Sequence, residues 1–190
     1  MLSIRKGGHK DLERYYTLIE MDYDSEELLG RLNIHKAMID GEQELNIIYD
    51  DESNIDQAYA LVCTRNLYGY VLLKYFAVLP WCRGRGVGTE SMRLLSERYC
   101  DRQGMITELR ESEKKTDGLN RQQNFLKRFG FEEIESNYRI GGEKTHILVK
   151  PMKSNADISP AAHRIIYDFY SRCLPYTAMK RMIDIQPAQK

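Results

Sequence analysis

The sequence predicts an α/β protein: a central, mixed and mostly antiparallel sheet flanked by helices, followed by a C-terminal helical extension. Three observations support this class. The 190 residues are enough for one domain with its own core and a short appendage. Segments of helical and strand periodicity follow the order α-α-β-β-β-α-β-α-β-β. The nearly continuous apolar run from Tyr68 to Leu79 is typical of a central strand buried on both faces.

The opening third of the chain predicts two helices. Leu12, Tyr15 and Ile19 recur at helical spacing and place the first helix at residues 9–22. Asp24 followed three residues later by Glu27 has the pattern of a capping box, so the second helix is predicted over 24–39.

The middle of the chain predicts most of the sheet. Two further helices are expected where apolar residues recur at helical spacing and a glycine follows, at about 87–103 and 119–128. Strands are predicted at residues 45–49, 57–64, 68–79, 105–109, 131–135 and 145–149. A polar loop at 111–118 and a Gly141-Gly142 turn separate some of these elements.

The predicted extension, residues 153–190, differs in pattern from the domain at 1–152. Ser159-Pro160 is a favourable helix start, and a stripe of apolar residues follows it until Pro175. This helix, residues 159–174, has to pack on the main body or on a second subunit, so a homodimer is one expectation. Residues 176–190 are expected to be loosely ordered, although Met179, Met182 and Ile183 could still dock on the rest of the protein.

Composition excludes several classes of function. Lys plus Arg and Asp plus Glu both total 28, so no global charge draws the chain to nucleic acid or to a membrane. No apolar run approaches the ~20 residues that span a bilayer, and the polar N-terminus does not resemble a signal peptide. The four cysteines are widely spaced without a CxxC pair. We therefore expect a cytoplasmic protein with reduced thiols and no metal site.

The most informative motif is RGRGVG, Arg83 to Gly88, between the apolar strand and a helix. The first amides of a helix lack internal partners and carry the positive end of its dipole. Glycines let an anion approach the backbone, and two arginines add charge, so the motif predicts a pyrophosphate site. A Walker loop is excluded because GxxxxGK[ST] is missing, and the spacing fits a dinucleotide fingerprint poorly.

A third interpretation fits better. Arg83-x-x-Gly86-x-Gly88 resembles the R/Q-x-x-G-x-G/A signature of the GNAT N-acetyltransferases, and the resemblance covers residues 1 to about 152. Three more segments are similar to this family's fourth strand, fifth strand and following helix: Tyr75–Pro80, Ile106–Leu109 and Arg121–Phe131.

The resemblance implies a GNAT-type fold with acetyl-coenzyme A in a cleft where the fourth and fifth strands separate. The backbone of three strand residues would pair with the pantetheine arm, and loop amides would hold the pyrophosphate. Arg128, on the later helix, would meet a coenzyme phosphate. The implied cofactor residues are Phe76, Ala77, Val78, Arg83, Gly84, Arg85, Gly86, Val87, Gly88, Thr89, Phe125 and Arg128.

The catalytic residues are less evident. Leu126 and Leu72 occupy the positions where the family often has a tyrosine and a glutamate. Glu108, on the fifth strand, and Tyr138 are the candidates that we select as substitutes. Tyr70, Tyr75, His146 and a water relay remain open.

The expected function is transfer of an acetyl group from acetyl-coenzyme A to a primary amine, directly within a ternary complex. The acceptor is a small-molecule amine or a protein amine. The alternative is a non-catalytic module that binds or senses acyl-coenzyme A, because both usual catalytic side chains are missing from their usual places. A nucleotide-binding fold is a third, weaker alternative that requires another strand order.

Overall fold

The structure is a computed structural model that describes residues 1–65, 69–111, 116–153 and 162–186. The strand start predicted at Tyr68 and the helix start predicted at Ser159-Pro160 lie outside these residues. Within the described ranges, no helix has the length and apolar character that crossing a membrane requires.

One nine-stranded sheet forms the centre of the molecule, in the order β1-β2-β3-β4-β5-β8-β7-β9 with β6 also beside β8. Every neighbouring pair is antiparallel except β4 and β5, which confirms the predicted mixed, mostly antiparallel sheet. The strands are β1 (Leu2–Lys6), β2 (Gln43–Asp50), β3 (Asp56–Cys63), β4 (Val71–Val78), β5 (Gly104–Arg110), β6 (Glu132–Ile134), β7 (Asn137–Ile140), β8 (Glu143–Pro151) and β9 (Ile183–Gln186).

Helices cover both faces of this sheet, as predicted. They are α1 (His9–Asp22), α2 (Arg31–Ile39), α3 (Val87–Arg98), α4 (Thr116–Lys127), α5 (Ala162–Cys173) and α6 (Tyr176–Met182). Residues from α1, α2, α5 and α6 share one apolar layer with the sheet, and residues from α3 and α4 share the other. Because both faces of the sheet are buried, the sequences of β3 and β4 are nearly continuous apolar runs.

The helix predicted over 24–39 is wrong over its first seven residues, nearly half of its length. Residues Ser25–Glu27 form a short 3-10 turn, and α2 begins only at Arg31 after Gly30. The side chain of Asp24 makes no capping hydrogen bond. The carboxylates of Glu26 and Glu27 instead lie 3.6 and 3.7 Å from the Arg110 guanidinium, so a tertiary contact overrides the local capping signal.

The C-terminal extension is integrated with the main body. Ile165, Ile166 and Phe169 of α5 are at most 2% exposed and belong to the same apolar layer as α1. Residues 176–186 are not loosely ordered as expected, because they form α6 and then β9, which pairs with β7. The division at residue 152 stays a prediction.

We expect Phe169→Ala to lower the free energy of unfolding by about 3–5 kcal/mol, because it empties a buried aromatic site. Tyr167→Ala is the matched control on the same helix, since Tyr167 is 48% exposed, and we expect it to cost less than about 1 kcal/mol. Urea unfolding of the full chain measures both. Equal, small effects would show that α5 does not contribute to the core.

Candidate functional site

The site originates where β4 and β5 stop pairing. Their parallel ladder has only three residue pairs, from Val71 opposite Met105 to Leu73 opposite Thr107. Beyond it, β4 continues beside β3 and β5 continues beside β8, so the two strands diverge. The cleft between them has an empty volume of about 830 Å³, open solvent included, and it is closed by α4 and by the α1–α2 connection.

A β-bulge in β4 marks the start of this divergence. Leu73 lies opposite Val62 and Tyr75 lies opposite Leu61, which leaves Lys74 as the extra residue. The bulge leaves Lys74 and Tyr75 on the same face of the sheet, the one that α5 covers, with the Lys74 ammonium group 5.4 Å from the centre of the Tyr75 ring. The Lys74 side chain is only 4% exposed.

The glycine motif forms the turn between β4 and α3. Gly86 caps α3 with φ of 78°, and Gly84 has φ of 76°, which are left-handed conformations that glycine adopts without strain. A Cβ atom at Gly88 would lie 3.3 Å from Val78 Cγ2, so the helix start and the strand approach each other closely. Gly84 and Gly86 have no side chain and leave open space beside the start of α3, so the first amides of this helix are accessible to an anion.

The two arginines of the motif differ. Arg83 is engaged within the protein, because its Nε donates to the Val78 carbonyl at 3.0 Å and its Nη2 donates to Asp22 at 3.1 Å. Arg85 is exposed, and no carboxylate among the described residues lies within ion-pair distance of it. Arg85 is therefore the better placed of the two to meet a phosphate, while Arg83 fixes the loop to β4 and α1.

The edge of β4 that faces the cleft carries an unexpected contact. The Phe76 amide donates to the Tyr23 hydroxyl at 2.8 Å, and the same hydroxyl donates to the Phe76 carbonyl at 3.1 Å. Leu79 donates to Gln57 next to β3, so the alternation of a strand directs Phe76 and Val78 to the opposite, open edge. Burial raises the pKa of Tyr23, which keeps this hydroxyl protonated.

The remaining predicted cofactor residues lie in different surroundings. Phe125 of α4 stacks on Phe76 with ring centres 6.2 Å apart, and the Arg128 guanidinium lies 5.8 Å above the Phe125 ring. Thr89 is exposed in the first turn of α3, whereas Val87 is buried there. Phe76 and Phe125 line the cleft, whereas Arg128 and the motif from Arg83 to Thr89 are not among its lining residues.

The two predicted catalytic residues contact each other. The Tyr138 hydroxyl donates to Glu108 Oε1 at 2.7 Å. Glu108 lines the cleft, while Tyr138 is fully buried behind it and is not among the residues that line the cleft. Burial, with the nearby Glu108 charge, raises the pKa of Tyr138 well above its ordinary value.

Two more polar side chains complete this cluster. Glu108 Oε2 accepts from the Tyr170 hydroxyl of α5 at 2.7 Å and lies 3.4 Å from Lys74 Nζ. Lys74 in turn donates to the Tyr170 oxygen at 2.6 Å. Sequence reasoning missed both residues, although Lys74 was detectable as the single charged residue within the apolar run of β4.

The other sequence candidates have different partners. The Tyr75 hydroxyl donates to the Glu27 carbonyl and accepts the Leu29 amide, so it fixes the α1–α2 connection. His146 contacts Glu111 and Glu133 and does not line the cleft described above.

Comparisons with known proteins agree with this architecture. The family model described as "Acetyltransferase (GNAT) domain" matches residues 42–133. A search of curated protein sequences finds no significant match. Among solved structures, a GNAT-family protein from Bacteroides thetaiotaomicron superposes with a TM-score of 0.71 at 18% identity, over 89% of this chain and 96% of its own.

Two other solved structures have more specific names. The ribosomal-protein-S18-alanine N-acetyltransferase from Escherichia coli has a TM-score of 0.57 at 16% identity, over 83% of this chain and 97% of its own. The spermidine N-acetyltransferase from Vibrio cholerae, in complex with CoA and spermine, has a TM-score of 0.60 at 10% identity, over 80% of this chain and 95% of its own. The family match identifies residues 42–133 as a GNAT acetyltransferase domain, and most of the chain shares its fold with these solved structures.

Proposed function

We propose that the protein is an N-acetyltransferase that moves the acetyl group of acetyl-coenzyme A to a primary amine by direct transfer in a ternary complex. One observation carries the proposal. The β4–β5 pairing ends early and leaves an open strand edge on the cleft, and the glycine-rich N-terminus of α3 lies next to it, because a Cβ atom at Gly88 would be 3.3 Å from Val78 and 3.6 Å from Phe125. These are the two features that an extended pantetheine arm ending in a pyrophosphate requires.

The described residues fit this co-substrate. The motif from Arg83 to Thr89 offers first-turn amides of α3 and the exposed charge of Arg85 to the pyrophosphate. On the β4 edge, Tyr23 occupies the Phe76 amide and carbonyl, and Arg83 occupies the Val78 carbonyl, so pantetheine pairing with Phe76 would displace Tyr23. The Val78 amide is the proposed donor to the thioester oxygen. Phe125 forms part of the facing wall, with the Arg128 guanidinium above its ring.

The proposed chemistry centres on Glu108. An alkylamine with an ordinary pKa near ~10 is mostly protonated at neutral pH, so the nucleophile has to lose a proton before or during attack. Glu108 lines the cleft and is the proposed proton acceptor, with Tyr138 hydrogen-bonded behind it. The attack joins nitrogen to the acetyl carbon and breaks the carbon–sulfur bond, and the thiolate then takes up a proton.

The acceptor is proposed only as a class. The named relatives include an enzyme for spermidine and an enzyme for a ribosomal protein, so a small-molecule amine and a protein amine both remain proposals. Cytoplasmic location and a homodimer are likewise proposals from the sequence.

The first prediction from this proposed function concerns catalytic turnover. With acetyl-coenzyme A and a panel of amines, we expect amine-dependent release of free thiol, and we expect Glu108→Gln to lower kcat roughly 10²- to 10⁴-fold. Coenzyme A binding should be retained because Glu108 is not a proposed cofactor contact. Tight coenzyme A binding by the wild type without release for any amine would favour the acyl-coenzyme A sensor instead.

The second prediction concerns the glycine motif. Gly86→Ala places a side chain in a left-handed conformation, which costs about 1–2 kcal/mol and should weaken coenzyme A binding about 5- to 30-fold. Arg85→Ala removes only an exposed charge and should weaken binding less than about fivefold. Calorimetric titration measures both. A larger loss for Arg85→Ala would contradict a site built mainly from backbone amides.

The third prediction concerns Tyr23, whose hydroxyl occupies the Phe76 backbone groups on the open edge. If pantetheine pairs with that edge, Tyr23→Phe removes a competitor worth about 1 kcal/mol and should tighten coenzyme A binding about three- to tenfold. Tyr16→Phe is the control, because the Tyr16 hydroxyl, on the adjoining helix α1, donates to the Leu29 carbonyl and not to β4. Weaker binding by Tyr23→Phe would mean that Tyr23 supports the cofactor edge.

A further inference from the structure

The cluster around Glu108 draws on four parts of the chain. Lys74 is the bulge residue of β4. Glu108 follows Thr107, the last residue of β5 that pairs with β4. Tyr138 lies in β7 and Tyr170 lies in α5. Lys74 and Glu108 have side chains 4% and 5% exposed, and the two tyrosines are at most 2% exposed. Four polar side chains therefore meet in a nearly water-free volume that opens to the cleft at Glu108.

The directions of the hydrogen bonds follow from the donors available. An ammonium group only donates and an ionised carboxylate only accepts. Tyr170 lies between them and has one proton, so it accepts from Lys74 and donates to Glu108 Oε2. Tyr138 donates its proton to Oε1. Each carboxylate oxygen thus has one tyrosine donor, and the orientation of the carboxylate is determined by both.

We infer that Tyr170 of the C-terminal helix, together with Lys74, is a positioning residue that holds the Glu108 carboxylate for proton transfer from the acceptor amine. The C-terminal extension would then complete the catalytic site as well as the core. This inference rests on the proposed function.

Stability alone gives little reason for this arrangement. Removing two charges from water costs several kcal/mol per ion, and apolar residues of similar volume are often at least as stable in such a place. A phenylalanine at 170 would fill the same volume without the hydroxyl. What the hydroxyl adds is a link between a fixed positive charge and a carboxylate at the cleft wall.

The family match includes only two of the four residues of this cluster. Residues 42–133 include Lys74 and Glu108, whereas Tyr138 and Tyr170 lie beyond them. The ion pair is therefore part of the matched domain, and its two hydroxyl partners are provided by later segments of the chain.

Other titratable groups lie near this cluster. The Cys63 thiol of β3 and the Cys173 thiol of α5 are buried neighbours, and their mutual interaction together with burial raises the pKa of Cys63. Arg110 and Glu27 line the same cleft further along. None of these groups lies on the hydrogen-bonded path from Lys74 through Tyr170 to Glu108.

The test compares Tyr170→Phe with Tyr167→Phe, an exposed tyrosine on the same helix. For Tyr170→Phe we expect kcat to fall roughly 10- to 100-fold, with the coenzyme A Kd and the amine KM within about twofold of wild type. A hydroxyl that donates to a carboxylate stabilises the ionised form. Its loss should therefore move the acid limb of the pH profile of kcat/KM upward, by about one to two pH units for a bond to a charged group. Tyr167→Phe should match wild type.

The outcomes separate this inference from the proposed function. Wild-type turnover with an unshifted pH profile in Tyr170→Phe would overturn the positioning role alone, and a fall in kcat that merely follows a lower Tm would do the same. Lys74→Met provides a second check, because loss of the ammonium group should move the acid limb in the same direction. If the wild type releases no thiol with any amine, both the proposed function and this inference are wrong.

Discussion

The three-residue length of the parallel β4–β5 ladder is the constraint on which the rest of the structure depends. A parallel pair in mid-sheet would normally be buried along its whole length, with every backbone group paired. Here the pairing stops at Leu73 and Thr107, so the remaining edges need other partners. Side chains provide part of that compensation: Tyr23 bonds both backbone groups of Phe76, Arg83 bonds the Val78 carbonyl and Thr107 bonds the Leu73 carbonyl.

The cleft is polar on one side of the sheet and apolar on the other. Lys74 lies on the face covered by α5, the face that also carries Leu72 two residues earlier, and it meets Glu108 there. The face covered by α3 and α4 carries Phe76 and Phe125. The proposed cofactor contacts and the proposed proton acceptor therefore lie on opposite faces of the sheet.

Short-range sequence patterns predicted the glycine motif of the candidate site, whereas contacts between distant residues determine the parts that were not predicted. RGRGVG is contiguous, and its helix start and its left-handed glycines follow from residues that are neighbours in sequence. Strand β1 escaped prediction, since its short sequence is defined by pairing with β2 some 40 residues later. The false helix start at Asp24 has the same origin, because Arg110 attracts the carboxylates nearby. Tyr170 reaches Lys74 across 96 residues, a contact for which no periodicity in the sequence gives a signal.

The late position of Tyr170 in the chain affects the order in which parts of the protein can fold during synthesis. During synthesis the segments up to β8 precede α5, so the sheet has all its strands except β9 while Lys74 and Glu108 still lack the helix that covers them. Contacts of such large sequence separation form late, because the loop entropy is lost before they stabilise the chain. A nascent chain would therefore form the β4–β5 cleft first and cover the Lys74–Glu108 pair last. Premature termination before α5 would then leave Glu108 without the Tyr170 hydroxyl and the core without the apolar face of that helix.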